Sequence, residues 1–158
     1  MNFTYRKAKL EDLPRIIELL LEDDLGQARE SQSSESEKCY TEAFGRIDRD
    51  PNQYLMVVED GKEIIATCHL TIMPSLTFIG STRMQIEAVR VAKKYRGQKI
   101  GQWMFSQAKL YAKANNVSII QLTTNKKRSR AKHFYEKLGF ENTHEGMKLY
   151  VSFKGYKS

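Results

Sequence analysis

The six residues Arg96-Gly97-Gln98-Lys99-Ile100-Gly101 combine two glycines, two cations and an amide, with no Asp or Glu among them. They follow the apolar run IEAVRV at 86–91 and precede IGQWMFSQAKLYAK, whose apolar residues recur at helical spacing. A tight turn that delivers a helix N-terminus presents backbone N–H groups with no intrahelical partner, and the aligned peptide dipoles add partial positive charge. Glycine lets that backbone approach an anion without a Cβ in the way. Arg96 and Lys99 add full charges, and Arg96 brings a bidentate fork. The chemistry of such a turn is the cradling of a pyrophosphate. On spacing alone, an ordinary strand-to-helix turn with a left-handed Gly97 and solvated cations accounts for the same residues. The stretch matches neither GxxxxGK[ST] nor GxGxxG, so triphosphate and dinucleotide sites fit poorly.

Metal chemistry finds no support. His69, His133 and His144 lack ligand spacing, and Cys39 and Cys68 lie far apart with no CxxC, so both are expected as buried free thiols. The chain has 26 Lys plus Arg against 19 Asp plus Glu, a formal +7, which suits an anionic partner: nucleic acid, an acidic membrane or a polyphosphate cofactor. Lys126, Lys127, Arg128, Arg130 and Lys132 form a basic cluster. A nucleic-acid module would interleave aromatics for stacking, and this cluster has none before Phe134, which belongs to an apolar stripe. The longest uncharged stretch, from Ile64 up to Arg83, is broken by Thr, Ser, His, Pro and Gly and is no membrane span. The opening MNFTYRKAKLED has no apolar h-region, and a cytoplasmic protein is expected.

The elements that must position these residues follow from changes of period. NFTYRKA alternates as a strand, and Leu10, Leu13, Ile17, Leu20 and Leu21 form a helical stripe with Pro14 in the first turn. SQSSESE at 31–37 reads as a loop, and a second helix carries Tyr40, Ala43, Phe44 and Ile47 up to Asp50-Pro51. QYLMVVED and KEIIATCHLTIM flank Asp60-Gly61, a short-hairpin signal. RMQIEAVRV is the next strand, followed by the glycine turn and a helix that fades at Asn115-Asn116. VSIIQLTT is a strand expected parallel to its predecessor, because a helix crosses over between them. A last helix carries Ala131, Phe134, Tyr135 and Leu138 and closes at Gly139, and EGMKLYVSF is expected as a final strand. The order β-α-α-β-β-β-α-β-α-β(β) is an α/β (α+β) chain: a mixed sheet with helices on both faces, in one domain over 1–158.

With those elements in place, VRVAKKYRGQKIG resembles the acyl-CoA-binding motif [RQ]-x-x-G-x-[GA] of the GNAT superfamily of N-acetyltransferases, and NKKRSRAKHFYEKLGF resembles that superfamily's following motif. The element order agrees over essentially the whole chain. Lys99 departs from the pattern, standing where Gly is preferred. Arg128 stands where many relatives carry Asn, which makes Asn125 the amide contact expected here.

The resemblance implies a GNAT-like fold, with a mostly antiparallel sheet and a splayed parallel strand pair. It also implies acetyl-CoA as cosubstrate and no metal. The cofactor-binding residues would be Val89, Arg90 and Val91 on the strand, Arg96, Gly97, Gln98, Lys99, Ile100, Gly101 and Gln102 in the turn, and Asn125 with Arg130 beyond. Lys99 would offer its backbone N–H from a helical conformation. Two catalytic residues are implied. Glu87 would be the base that takes a proton from the amine, since an alkylammonium with a pKa near ~10 is no nucleophile. Tyr135 would be the hydroxyl that meets the departing thiolate. The expected activity is acetyl transfer from acetyl-CoA to a primary amine by direct attack in a ternary complex. The alternatives are a basic nucleic-acid-binding module and an acyl-CoA sensor without turnover. Partners would be acetyl-CoA and an amine acceptor, with no membrane, nucleic acid disfavoured and a homodimer open. Amino acid, polyamine, aminoglycoside and peptide amine all remain possible acceptors, and Asp23, Asp24 and Glu30 hint at a cationic one.

Overall fold

The computed structural model describes residues 2–152 of the chain. In order these form β1 (Phe3–Lys7), α1 (Leu13–Leu21), α2 (Asp24–Gln27), α3 (Ser34–Arg49), β2 (Gln53–Asp60) and β3 (Glu63–Met73). There follow the single turn α4 (Thr77–Gly80), β4 (Thr82–Val91), α5 (Ile100–Ala114), β5 (Val117–Gln121) and α6 (Ser129–Lys137). The strands make one sheet in the order β1-β2-β3-β4-β5. Its pairs are antiparallel except β4–β5, which is parallel, as the crossover helix between them required.

A sheet covered on both faces needs strands that are apolar on both sides. Leu55-Met56-Val57-Val58 of β2 is such a run, buried throughout. Met56 and Val58 join one core with Cys68, Leu70, Met84 and Ile86 beneath Ile100, Met104, Phe105 and Ala108 of α5. Leu55 and Val57 join the other, with Leu13, Ile16, Ile17 and Leu19 of α1 and Phe44 of α3. Each CH₂ that enters these cores contributes about 0.8 kcal/mol, so the two faces together hold the sheet against chain entropy.

Three expectations need correction. SQSSESE is not all loop: α3 begins at Ser34, with the Ser33 side chain accepting from the Ser36 amide (3.2 Å) and Glu35 and Glu37 in the first turn. Those polar residues are helix-start chemistry. Cys39 is half-buried, while Cys68 is buried and burial pushes its thiol up to about 12; both are free. The final strand is not formed within the described residues. Glu141–Ser152 stays outside the sheet, with Met147, Leu149 and Val151 exposed, and Phe153 lies outside the described residues. Alternation permits a strand, but only hydrogen bonding to a neighbour makes one.

Candidate functional site

The site begins with a break in the sheet. β4 pairs β5 over Thr82–Gln85 and Val117–Gln121, and the ladder ends at Gln85↔Gln121. β4 runs on to Val91 with its other edge still on β3, so residues 86–91 have an outer edge without a β5 partner. The same stretch carries a bulge: His69 faces Glu87 and Thr67 faces Arg90, which leaves Ala88 and Val89 opposite Cys68. Ala88 takes a left-handed φ of 50° to accommodate the extra residue. Open backbone donors and acceptors beside a bulge are what an extended, amide-bearing ligand can pair with.

At the foot of that opening lies the glycine turn. Gly97 (φ 80°) and Lys99 (φ 63°) are both left-handed and Gln98 between them is not, an alternation that converges successive N–H groups into an anion nest. Lys99 is the N-cap of α5 and is not helical, contrary to expectation. The preference for Gly at this position in the motif that the turn resembles has a physical cause, because Lys must bear the left-handed conformation. No side chain caps α5. The Ile100, Gly101 and Gln102 amides precede its first backbone bond, from Trp103 to Lys99 O (3.0 Å). Arg96, exposed, gives Nε to Val91 O (3.1 Å), and Gln98 gives Nε2 to Lys94 O (3.2 Å). Gly101 has a different task from Gly97. A Cβ on it would stand 3.2 Å from Phe134 Cζ, so its bareness seats α6 against α5, whereas a Cβ on Gly97 would meet nothing. These groups fit a diphosphate: three uncapped amides, a nest and adjacent cations.

Glu87 is exposed on the sheet face opposite Met84 and Ile86. His69 lies directly across from it in the register, on the same face and half-buried. Sequence reasoning set His69 aside for lack of metal spacing, yet this cross-strand position is where it gains chemical interest. Its Nε2 lies 2.7 Å from Gln53 Oε1, an oxygen that also accepts from Thr71 Oγ1 (2.8 Å). An oxygen acceptor there sets the proton on Nε2 and leaves Nδ1 with its lone pair. Burial pushes the imidazole pKa below its ordinary value, against the opposing pull of the Glu87 charge, so the ring is neutral at pH 7.

Tyr135 stands on α6, its ring against Phe105, Phe134 and Phe140 (centroids 5.7, 5.4 and 6.0 Å). Burial raises its pKa while the charges of Arg128 and Arg90 oppose the rise, so the hydroxyl keeps its proton. Both arginines converge on Asp23, which follows α1. Asp23 Oδ2 lies 2.7 Å from Arg128 Nη2 and 3.0 Å from Arg90 Nε, and Oδ1 accepts from Gly26 N (2.6 Å). The Arg90 contact is one of charge, since that N–H is not aimed at the oxygen. Burial pushes the Asp23 carboxyl up, but the Gly26 amide and the two arginines outweigh it and hold it below the usual range.

This clasp joins the end of α1, the β4 bulge and the start of α6. Sequence inspection did not find it. It engages the Arg90 side chain through Nε and the Arg128 side chain through Nη2. Asn125 is exposed and its Oδ1 accepts from Lys127 N (2.9 Å), which leaves the amide nitrogen for a ligand. Arg130, Lys126 and Lys127 are exposed beside it. Two of the three acids that hinted at a cationic acceptor are occupied as well, Asp23 by the clasp and Glu30 by the Tyr40 hydroxyl. No group of three or more potential metal ligands occurs among the described residues, and no helix there is long and apolar enough to cross a membrane.

The family model described as the acetyltransferase (GNAT) family matches residues 13–140. No curated protein matches the chain. Among solved structures, a protein from Bacillus halodurans C-125 described as a transcriptional regulator is 39% identical with a TM-score of 0.91, covering 95% of this chain and 100% of that one. Glucosamine-6-phosphate N-acetyltransferase from Arabidopsis thaliana is 24% identical with a TM-score of 0.75, covering 96% and 100%. A protein from Clostridium acetobutylicum described as a predicted acetyltransferase, solved with acetyl-CoA, is 22% identical with a TM-score of 0.75, covering 95% and 97%. At those lower identities the likeness is one of fold.

Proposed function

We propose that this chain, which belongs to the acetyltransferase (GNAT) family, transfers the acetyl group of acetyl-CoA to a primary amine by direct attack in a ternary complex, as a cytoplasmic enzyme. The observation that carries this is the parted β4–β5 pair with an uncapped, left-handed turn at its foot. The Gly97–Gln102 amides would hold the diphosphate, with Arg96 and Lys99 adding charge. The outer edge of β4 at Val89, Arg90 and Val91 would pair with the amide-bearing arm, and Asn125 and Arg130 would flank it. The thioester supplies an acyl carbon already activated toward amines. Glu87 takes the proton that the ammonium must lose, directly or through water, and Tyr135 offers its hydroxyl hydrogen to the leaving sulfur.

The test is a turnover screen with acetyl-CoA, read as free thiol, against a panel of amines. Replacement Glu87→Gln should leave CoA affinity unchanged by calorimetry and lower kcat by roughly 10- to 1000-fold, most steeply at low pH. Full activity of that variant from pH 6 to 9 would remove Glu87 as the base. CoA binding with no turnover of any amine would favour a sensor. The description of the 39% identical protein as a transcriptional regulator favours a second reading, a nucleic-acid partner. Thermal melts separate it, because a ligand of the native state raises Tm by an amount that grows with the logarithm of its concentration over Kd. CoA should raise Tm and a random DNA duplex should not.

A further inference from the structure

The sheet face that carries Glu87, apolar at Leu55 and Val57 beneath α1 and α3, turns polar in the row beyond them. Gln53 of β2, Thr71 of β3, Gln85 of β4 and Gln121 of β5 stand side by side in the register, Gln53↔Thr71, Thr71↔Gln85 and Gln85↔Gln121. All four are half-buried. They are joined in pairs: Thr71 Oγ1 donates to Gln53 Oε1 (2.8 Å) and Gln121 Nε2 donates to Gln85 Oε1 (2.9 Å). This ladder crosses the sheet at the vertex of the splay, one row from Glu87 and His69.

Its residual bonding capacity is specific. Gln53 is largely engaged, its oxygen taken by Thr71 and His69 and one N–H given to Asp50 Oδ2 (3.3 Å), which leaves its second N–H. The Gln85 amide nitrogen, the second N–H of Gln121 and a lone pair of Thr71 are left as well, all neutral. At the end of the row Arg83 gives Nη1 to Gln121 Oε1 (3.3 Å) and Nη2 to Thr77 Oγ1, while its buried Nε has no partner among the described residues. A polyamine would need carboxylates along this floor, and an aryl or alkyl amine would need an apolar one. Neutral amide donors with one hydroxyl match an acceptor rich in oxygen atoms.

The geometry points to a hydroxylated primary amine, an amino sugar or aminocyclitol, as the acceptor class, its hydroxyls on Thr71, Gln85 and Gln121 and its amine toward Glu87. This inference rests on the acetyl-transfer reading and narrows its substrate. A site built to hydrogen-bond a hydroxyl rejects the analogue lacking it, because its own polar groups are then left unpaired; ratios of about 10⁴ are attainable.

The experiment compares kcat/KM for glucosamine, its single-deoxy analogues, spermidine and phenethylamine on the full chain. It repeats the series on Gln85→Leu and Gln121→Leu and measures CoA affinity and Tm for each protein. Expected are a preference of at least ~100-fold for glucosamine over spermidine and phenethylamine, and a loss of at least ~10-fold for one or more deoxy analogues. In at least one folded Leu variant that discrimination should collapse through KM, with CoA affinity unchanged. CoA binding without a preference for the hydroxylated amine, including turnover of none, overturns the inference but not CoA binding at the cleft. A preference that survives both Leu variants assigns recognition to other residues and overturns it too. Absence of CoA binding overturns the acetyl-transfer reading, and this inference falls with it.

Discussion

Replacing Asp23 by Asn isolates the clasp that spans the cleft. Asparagine keeps an oxygen for the Gly26 amide, so the local turn survives, but it removes the charge shared by Arg90 and Arg128. The Arg90, Asp23 and Arg128 side chains retain 10%, 19% and 27% of their exposure. Breaking a fully buried pair costs about 3–5 kcal/mol, and an exposed pair is worth about 0–1 kcal/mol. A clasp about four-fifths buried should therefore cost about 2–3 kcal/mol, most of it the stranded Arg90 charge. For a chain of this length 1 kcal/mol shifts Tm by about 2–4 °C, so Asp23→Asn should melt about 4–12 °C lower at pH 7.

The deficit has a pH signature. The folded carboxyl sits below its unfolded value, so its contribution is complete above about pH 4 and is lost as pH falls through the folded pKa. The gap between wild type and Asp23→Asn should close in that acid range. Adding Arg90→Met to Asp23→Asn should recover most of the lost stability, since an apolar side chain of similar reach needs no counter-ion. Scanning calorimetry of the four proteins measures this cycle. A single Asn variant within about 2 °C of wild type at pH 7, or strictly additive single effects, would refute the argument.

Three further outcomes are expected. Tyr135→Phe should hold Tm within a few degrees and CoA affinity near normal while kcat falls about 10- to 1000-fold; wild-type kcat, in an assay limited by chemistry, would return Tyr135 to the core. His69 is neutral when folded and binds a proton near its ordinary pKa of about 6.5 when unfolded, so wild type should lose stability as pH falls below that value. His69→Gln should flatten that slope in melts from pH 5 to 7. Lys99→Gly relieves a left-handed conformation worth about 1–2 kcal/mol, against about 0.5–1 kcal/mol of glycine entropy, and should raise Tm slightly; Lys99→Val should lower it.

What could be read from the sequence is what neighbours along the chain determine. Gly97 announces a left-handed turn, and the burial of α5 at Ile100, Met104 and Ala108 follows from helical spacing. The parallel β4–β5 pair follows from the crossover. The left-handed Lys99 does not, because no side-chain chemistry marks it; the turn imposes it on a residue that tolerates it poorly. The expected last strand, not formed within the described residues, fails for a related reason. Met147, Leu149 and Val151 alternate as a strand would, yet alternation says nothing about whether a neighbouring edge receives the backbone.

The polar floor and the clasp depend on register between distant segments. In β3, Thr67, His69 and Thr71 alternate with Ala66, Cys68 and Leu70, so one polar face could have been foreseen. Its use could not, because Gln53, Gln85 and Gln121 each look like an ordinary solvated residue within their own strand. One residue of slip would turn Gln85 into the core and bring Met84 or Ile86 to the floor. The Ala88 bulge supplies such a shift beyond Glu87. It lets Met84 and Ile86 face α5 before it, and it sends Arg90 after it to the Asp23 side. Without the extra residue, whichever face held Glu87 would also set Arg90's direction by simple alternation, and Val89 and Val91 would exchange faces with their neighbours. The carboxylate above the polar row needs only the alternation that precedes the bulge, whereas the clasp is a consequence of one inserted residue whose own side chain is a methyl group.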